Sequence, residues 1–121
     1  MINLDTQIFV SALDGRLRAG ELAILQDDFW CISDIVLWEL GQLSREGRIR
    51  RSLDDPELNR LLNRMTVWPI SREISKAIGS LDFRSDPADE IIAATSIVHG
   101  IRLLTRDTRI LSSTIVPLAI R

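Results

Sequence analysis

Four acidic residues stand where packing alone would not put them: Asp5, Glu39, Asp89 and Asp107. Asp5 follows the short apolar run Ile2-Asn3-Leu4, and Asp107 closes Leu103-Leu104-Thr105-Arg106-Asp107. Both lie just past expected strands, where open α/β sheets bind ligands near the reversal of strand order, so they converge if those strands are neighbours. Each also has a local explanation, Asp5 as cap of a helix beginning near Thr6 and Asp107 as an Asx turn with Thr108 and Arg109. Glu39 falls in the apolar stripe of Ile35, Val36, Leu40 and Leu43 on a helix turning roughly 100° per residue. A carboxylate there costs several kcal/mol unless it is paired with an arginine or bound to a cation. Asp89 sits three residues after Asp86, the place for a capping-box acid, yet two acids on one helical turn equally offer oxygens to a metal ion.

Together the four acids suggest an all-oxygen site suited to Mg²⁺ or Mn²⁺. The chain has a single cysteine, Cys31, and a single histidine, His99, which argues against zinc and against a nucleophilic triad. His99, at an expected helix C-terminus, reads as structural. A hydrolase built on such a site would use metal-activated water, and phosphodiester cleavage is its natural reaction.

The elements that must position these acids follow from the pattern of the 121 residues. Apolar runs at 2–4, 29–32, 66–68, 101–104 and 115–118 predict strands. Helical patterns occupy 8–13, 17–26, 35–46, 71–81 and 88–99, with one more opening at Asp55-Pro56. In 17–26 the expected buried face is Leu17, Leu22 and Leu25; Ser33-Asp34 is an N-cap pair, and Gly100 ends the helix of 88–99. The alternation predicts an α/β fold in three α/β/α layers, with a central, mainly parallel five-stranded sheet in one domain over 1–121. No apolar run approaches a membrane span, and no secretion signal is expected at the N-terminus. A lone cysteine suits a reduced, cytoplasmic setting. Fifteen basic against seventeen acidic residues give a net charge of −2, so any nucleic-acid contact must come from a local patch.

Ile2-Asn3-Leu4-Asp5-Thr6, Ile32-Ser33 followed by Glu39, the Asp86-Pro87-Ala88-Asp89-Glu90-Ile91-Ile92-Ala93-Ala94-Thr95 block and Leu104-Thr105-Arg106-Asp107 resemble the PIN-domain family. Their order, spacing and the chain length look like the VapC toxins of toxin–antitoxin pairs. The resemblance implies a Mg²⁺- or Mn²⁺-dependent endoribonuclease acting on tRNA or rRNA, a homodimer and a cognate antitoxin. It assigns metal binding to Asp5, Glu39, Asp89 and Asp107, with Thr6, Ser33, Asp86 and Thr105 in support. Gln7 departs from the Asn or His of many relatives, and Glu90 from an Arg.

RNA would need cations around the acids. Arg45 and Arg48, with Arg50 and Arg51, cluster after the Glu39 helix, and Arg106 and Arg109, with Arg102, lie near Asp107. Trp38, off the apolar stripe of its helix, is expected at a protein interface. A haloacid-dehalogenase-type phosphatase would need a second Asp where Gln7 stands. A receiver-like domain would need an acceptor Asp after the third strand, where Trp68-Pro69-Ile70-Ser71 offers none. The remaining alternative is a non-catalytic PIN-like module that binds RNA or protein.

Overall fold

The computed structural model describes residues 1–120. Four short strands, β1 (Ile2–Leu4), β2 (Trp30–Ser33), β3 (Thr66–Trp68) and β4 (Arg102–Leu104), form one parallel sheet in the order β3-β2-β1-β4. The strands are brief, and β1 is buried along its whole length, as expected of a parallel sheet covered by helices. Strand order reverses at β1, which pairs with β2 on one side and with β4 on the other. Leu4 is in register with Leu104, so the chain leaves β1 as Asp5 directly beside Thr105.

Among the described residues six helices connect the strands, α1 (Thr6–Leu13), α2 (Ala19–Leu25), α3 (Ile35–Arg45), α4 (Pro56–Leu62), α5 (Arg72–Ile78) and α6 (Pro87–His99), and a seventh, α7 (Thr108–Leu111), follows β4. Their ends follow local chemistry. Asp55 accepts from the Leu58 amide (3.0 Å) ahead of Pro56, and Ser71 accepts from the Ile74 amide (3.1 Å). At α3 the capping differs from the simplest expectation. Ser33 Oγ accepts from the Ile35 amide (3.2 Å), while Asp34 accepts instead from the Ile70 amide (3.3 Å).

The core is continuous across the sheet, joining Ile2, Leu4 and Ile32 to Ile8 and Phe9 of α1, Val36 and Leu40 of α3, and Ile92 and Ala93 of α6. Asn3, wholly buried, donates through Nδ2 to the Ile92 carbonyl (3.2 Å) and to Ser96 Oγ (2.9 Å), tying β1 to α6. The ring of His99 stacks on Trp68, with centroids 3.8 Å apart, and so links the end of α6 to β3.

Two expectations are corrected. The sheet has four strands rather than five, because 115–118 contributes only an isolated bridge between Leu103 and Leu118. Ser113 Oγ accepts from the amides of Ile115 (3.2 Å) and Val116 (3.1 Å), folding that stretch into a turn, and Pro117 has no N–H to extend a ladder. The second correction concerns α2, where Leu25 is buried but Leu22 is 53% exposed and Glu21 faces inward at 4%. Among the described residues no helix is long and apolar enough to cross a membrane.

Candidate active site

Asp5, Glu39, Asp89 and Asp107 come from four separated stretches of chain and line one cleft of about 370 Å³, together with Thr6, Gln7, Val10, Leu43 and Arg48. The cleft lies off the carboxyl ends of β1 and β4, where the strand order reverses and such sheets open a crevice.

Each carboxylate is held by a specific group. Although Asp5 occupies the N-cap of α1, its side chain makes no cap bond; Thr105 Oγ1 donates to its Oδ2 at 2.6 Å. Register makes that contact, since the residue after Leu104 stands beside the residue after Leu4. Glu39 Oε1 accepts a hydrogen bond from the Thr6 hydroxyl, so its partner is a threonine rather than an arginine. Asp89 does not complete a capping box: its Oδ2 accepts from Ser85 Oγ (2.9 Å). Only Asp107 serves as a helix cap, its Oδ1 accepting from the amides of Arg109 (2.8 Å) and Ile110 (3.2 Å) at the start of α7.

Electrostatics distinguish this cleft from the rest of the surface. Burial pushes the Asp5 carboxyl above its ordinary range, and the Asp89 and Asp107 charges push it further, against the Thr105 hydrogen bond. Glu39 is raised mainly by burial, with Asp89, Asp5 and Asp86 adding to it and Thr6 opposing. Asp89 is raised by burial and by Asp107 and Asp86, while Ser85 and the Arg109 charge act the other way. Among the described residues none of the four acids forms an ion pair. Like charges gathered in one partly buried cleft without an ion-pair partner are costly, and a bound cation removes that cost.

An all-oxygen donor set of this kind fits a hard divalent ion. Among the described residues, however, no three Asp, Glu, His or Cys side chains are drawn together tightly enough to enclose a metal by themselves. Mg²⁺ keeps several waters and takes only one or two carboxylates directly, so an open set of acids is compatible with it.

The other residues expected here divide into those that reach the cleft and those that do not. Thr6 and Arg48 line it, and Thr105 holds Asp5. Asp86 is exposed at the N-cap of α6 and acts on Glu39 and Asp89 through its charge. Ser33 is buried at the end of β2, and Arg45 is exposed at the end of α3. Arg106 turns away to pair with Glu21, at 2.6 and 2.8 Å. Sequence reasoning passed over Val10 and Leu43 as cleft walls, although each lies one helical turn beyond a polar site residue, Thr6 and Glu39. It also passed over Ser85, whose place beside Asp86 was the available signal.

The PIN domain family profile matches residues 2–114. This chain belongs to the PIN-domain family. A curated relative, Ribonuclease VapC22 from Mycobacterium tuberculosis, is 32% identical over 97 residues, covering 78% of this chain and 75% of its own length. That likeness places the chain with the VapC-type ribonucleases of the family. Solved structures with the same fold include a toxin–antitoxin complex from Klebsiella pneumoniae, with a TM-score of 0.71, 21% identity and coverage of 93% and 91% of the two chains. Another is VapBC2 from Rickettsia felis bound to a promoter DNA fragment, with a TM-score of 0.68, 22% identity and coverage of 100% and 98%. The PIN-domain sheet in this chain ends at four strands, with Leu118 marking where a fifth would pair.

Proposed function

We propose that this PIN-domain protein is a Mg²⁺- or Mn²⁺-dependent endoribonuclease, the toxin of a toxin–antitoxin pair, which hydrolyses phosphodiester bonds of tRNA or rRNA. The observation that carries the reading is the convergence of Asp5, Glu39, Asp89 and Asp107 on one cleft with no ion pair among them. The likeness to a named ribonuclease supports the reaction, and the likeness to toxin–antitoxin complexes supports a cognate antitoxin.

In this reading the metal would be held among the four acids, one or two of them binding it directly and the others through its waters. When bound, such an ion would supply an acidified water and stabilise charge on the leaving oxygen. The protein's own groups supply position and proton transfer. Thr105 fixes Asp5, Thr6 fixes Glu39 and Ser85 fixes Asp89, while the helix cap at α7 fixes Asp107. A carboxylate not engaged with the ion would take the proton from the attacking water. Arg48 and Arg109, near the acids, offer charge to phosphates flanking the scissile one.

The openness of the four-acid set favours one competing reading, a PIN fold that binds RNA or protein without cutting. The test is incubation of the purified, antitoxin-free protein with total tRNA and rRNA in Mg²⁺, Mn²⁺ or EDTA, alongside titration calorimetry with Mn²⁺. Discrete fragments that require the metal are expected. Absence of both cleavage and Mn²⁺ binding would leave the binding module as the surviving reading.

A further inference from the structure

Arg48 faces two hollows. One is the acid cleft; the other, of about 560 Å³, is lined by Leu13, Asp14, Arg16, Ile49, Arg50 and Arg51. Arg48 lines both, and α1, which packs on α3, contributes residues to each. On α1 the lining steps from Thr6 to Val10 to Leu13, about one turn at a time, and on α3 from Glu39 to Leu43 before reaching Arg48.

Both helices also end alike. Gly15 (φ 67°) and Gly47 (φ 70°) take the left-handed conformation that an L side chain rarely adopts. The next amide then bonds back across the turn, Arg16 N–H to the Ser11 carbonyl (2.8 Å) and Arg48 N–H to the Leu43 carbonyl (2.9 Å). The same closure therefore places an arginine at the same position beyond two neighbouring helices. Arg51 is committed elsewhere, donating to the Leu13 carbonyl and to Asp14, Asp55 and Glu57. Arg16 and Arg50 are exposed and form no ion pair among the described residues, and Arg48 meets only an exposed Glu46 at 3.4 Å.

We infer that Arg16, Arg48 and Arg50 form the backbone-phosphate track of a single RNA strand leaving the acid cleft along the groove between α1 and α3. This rests on the nuclease reading. From Thr6 to Leu13 the groove runs about 10 Å, the rise of roughly two to three stacked nucleotides. On the side of Thr105, the Arg106 guanidinium is spent on Glu21 and is not free for a phosphate. An acidic protein segment would fit the arginines but not the four carboxylates that follow them, whereas a phosphodiester strand must reach those carboxylates to be cut.

The test compares the wild type with Arg16→Gln/Arg50→Gln in binding a fluorescein-labelled, mixed-sequence 12-nucleotide RNA in EDTA, where metal-dependent cleavage is switched off, over a range of KCl. Losing two phosphate contacts is expected to weaken binding about tenfold at low salt and to flatten the slope of log K against log salt by about 1.4. Circular dichroism melting of the variant should match the wild type, since both side chains are exposed. Unchanged affinity and slope would overturn the track. So would preferential binding of a poly-glutamate peptide that depends on the same two arginines. Cleavage of total RNA in Mn²⁺, run in parallel, separates the two claims. A track confirmed without cleavage sinks the nuclease reading alone, and cleavage with RNA binding untouched by the double substitution sinks the track alone.

Discussion

Asp5→Asn is expected to abolish RNA cleavage, by about 10³-fold or more, while making the metal-free protein more stable. The loss of activity follows from the proposed ligand role, since even outer partners of metal ligands typically cost about 10–100-fold when removed. The gain in stability follows from the electrostatics of the empty set of acids. Asp5 is 6% exposed, its pKa is raised above 3.8 by burial and then by Asp89 and Asp107, and no cation pairs with it. Asparagine keeps the oxygen that accepts from Thr105 Oγ1 and removes the charge.

The pH dependence fixes the sign. An acid whose folded pKa lies above its unfolded value binds more protons in the native state, so its ionisation works against folding. The penalty begins near the unfolded value of 3.8 and is complete once the pH passes the folded pKa. Melting curves in EDTA should therefore place Asp5→Asn above the wild type at pH 7, by a few degrees for each kcal/mol relieved, and bring the two together as the pH falls towards 3.8. Added Mn²⁺ should raise the wild-type midpoint by mass action and leave that of the variant nearly still. A variant less stable than the wild type at pH 7 in EDTA would show that the Asp5 charge is neutralised within the fold, and the metal-site reading would lose its electrostatic basis.

Much of this site is legible in the sequence because it is built from local signals. An acid directly after a short apolar strand places Asp5, and an acid inside an apolar helical stripe marks Glu39. Asp-Pro at 86–87 opens α6, and the run 103–107 carries Asp107 out of β4. What sequence cannot supply is the pairing between distant stretches. Nothing near Glu39 announces that its partner is Thr6, 33 residues away, rather than an arginine. The inward turn of Glu21 is equally hidden, because an acid between Gly20 and Leu22 reads as a solvated position until Arg106, 85 residues on, is brought against it. The supposed fifth strand fails for a related reason. Its apolar residues suit a strand, but Ser113, bonded to Asp82 Oδ1 at 2.6 Å, draws the following amides into a turn before Pro117.

The Glu21–Arg106 pair carries the second large effect. Their side chains are only 5% and 16% exposed, and two bonds of 2.6 and 2.8 Å join them. Glu21 also accepts from the Arg18 amide at 2.8 Å, so one carboxylate closes the start of α2 and anchors the loop between Thr105 and Asp107. Glu21→Gln leaves the Arg106 charge largely buried without its counter-charge, a change that costs about 3 kcal/mol or more and lowers the melting midpoint by about 10 °C. The Arg106 hydrogen bond holds the Glu21 carboxyl below its usual value, so this contribution is fully present above pH 4.5 and fades as the pH falls through the lowered folded value. The difference between wild type and Glu21→Gln should accordingly shrink in acid, by the same experiment in which the Asp5 penalty disappears. Glu21→Leu combined with Arg106→Met should recover much of the lost stability, because removing both charges leaves neither stranded. Cleavage by Glu21→Gln is expected to drop by up to about 10²-fold through displacement of Thr105 and Asp107. RNA-binding salt slopes separate that from direct contact: Arg106→Gln should leave the slope unchanged, and a slope reduced by about 0.7 would return Arg106 to the phosphate contacts.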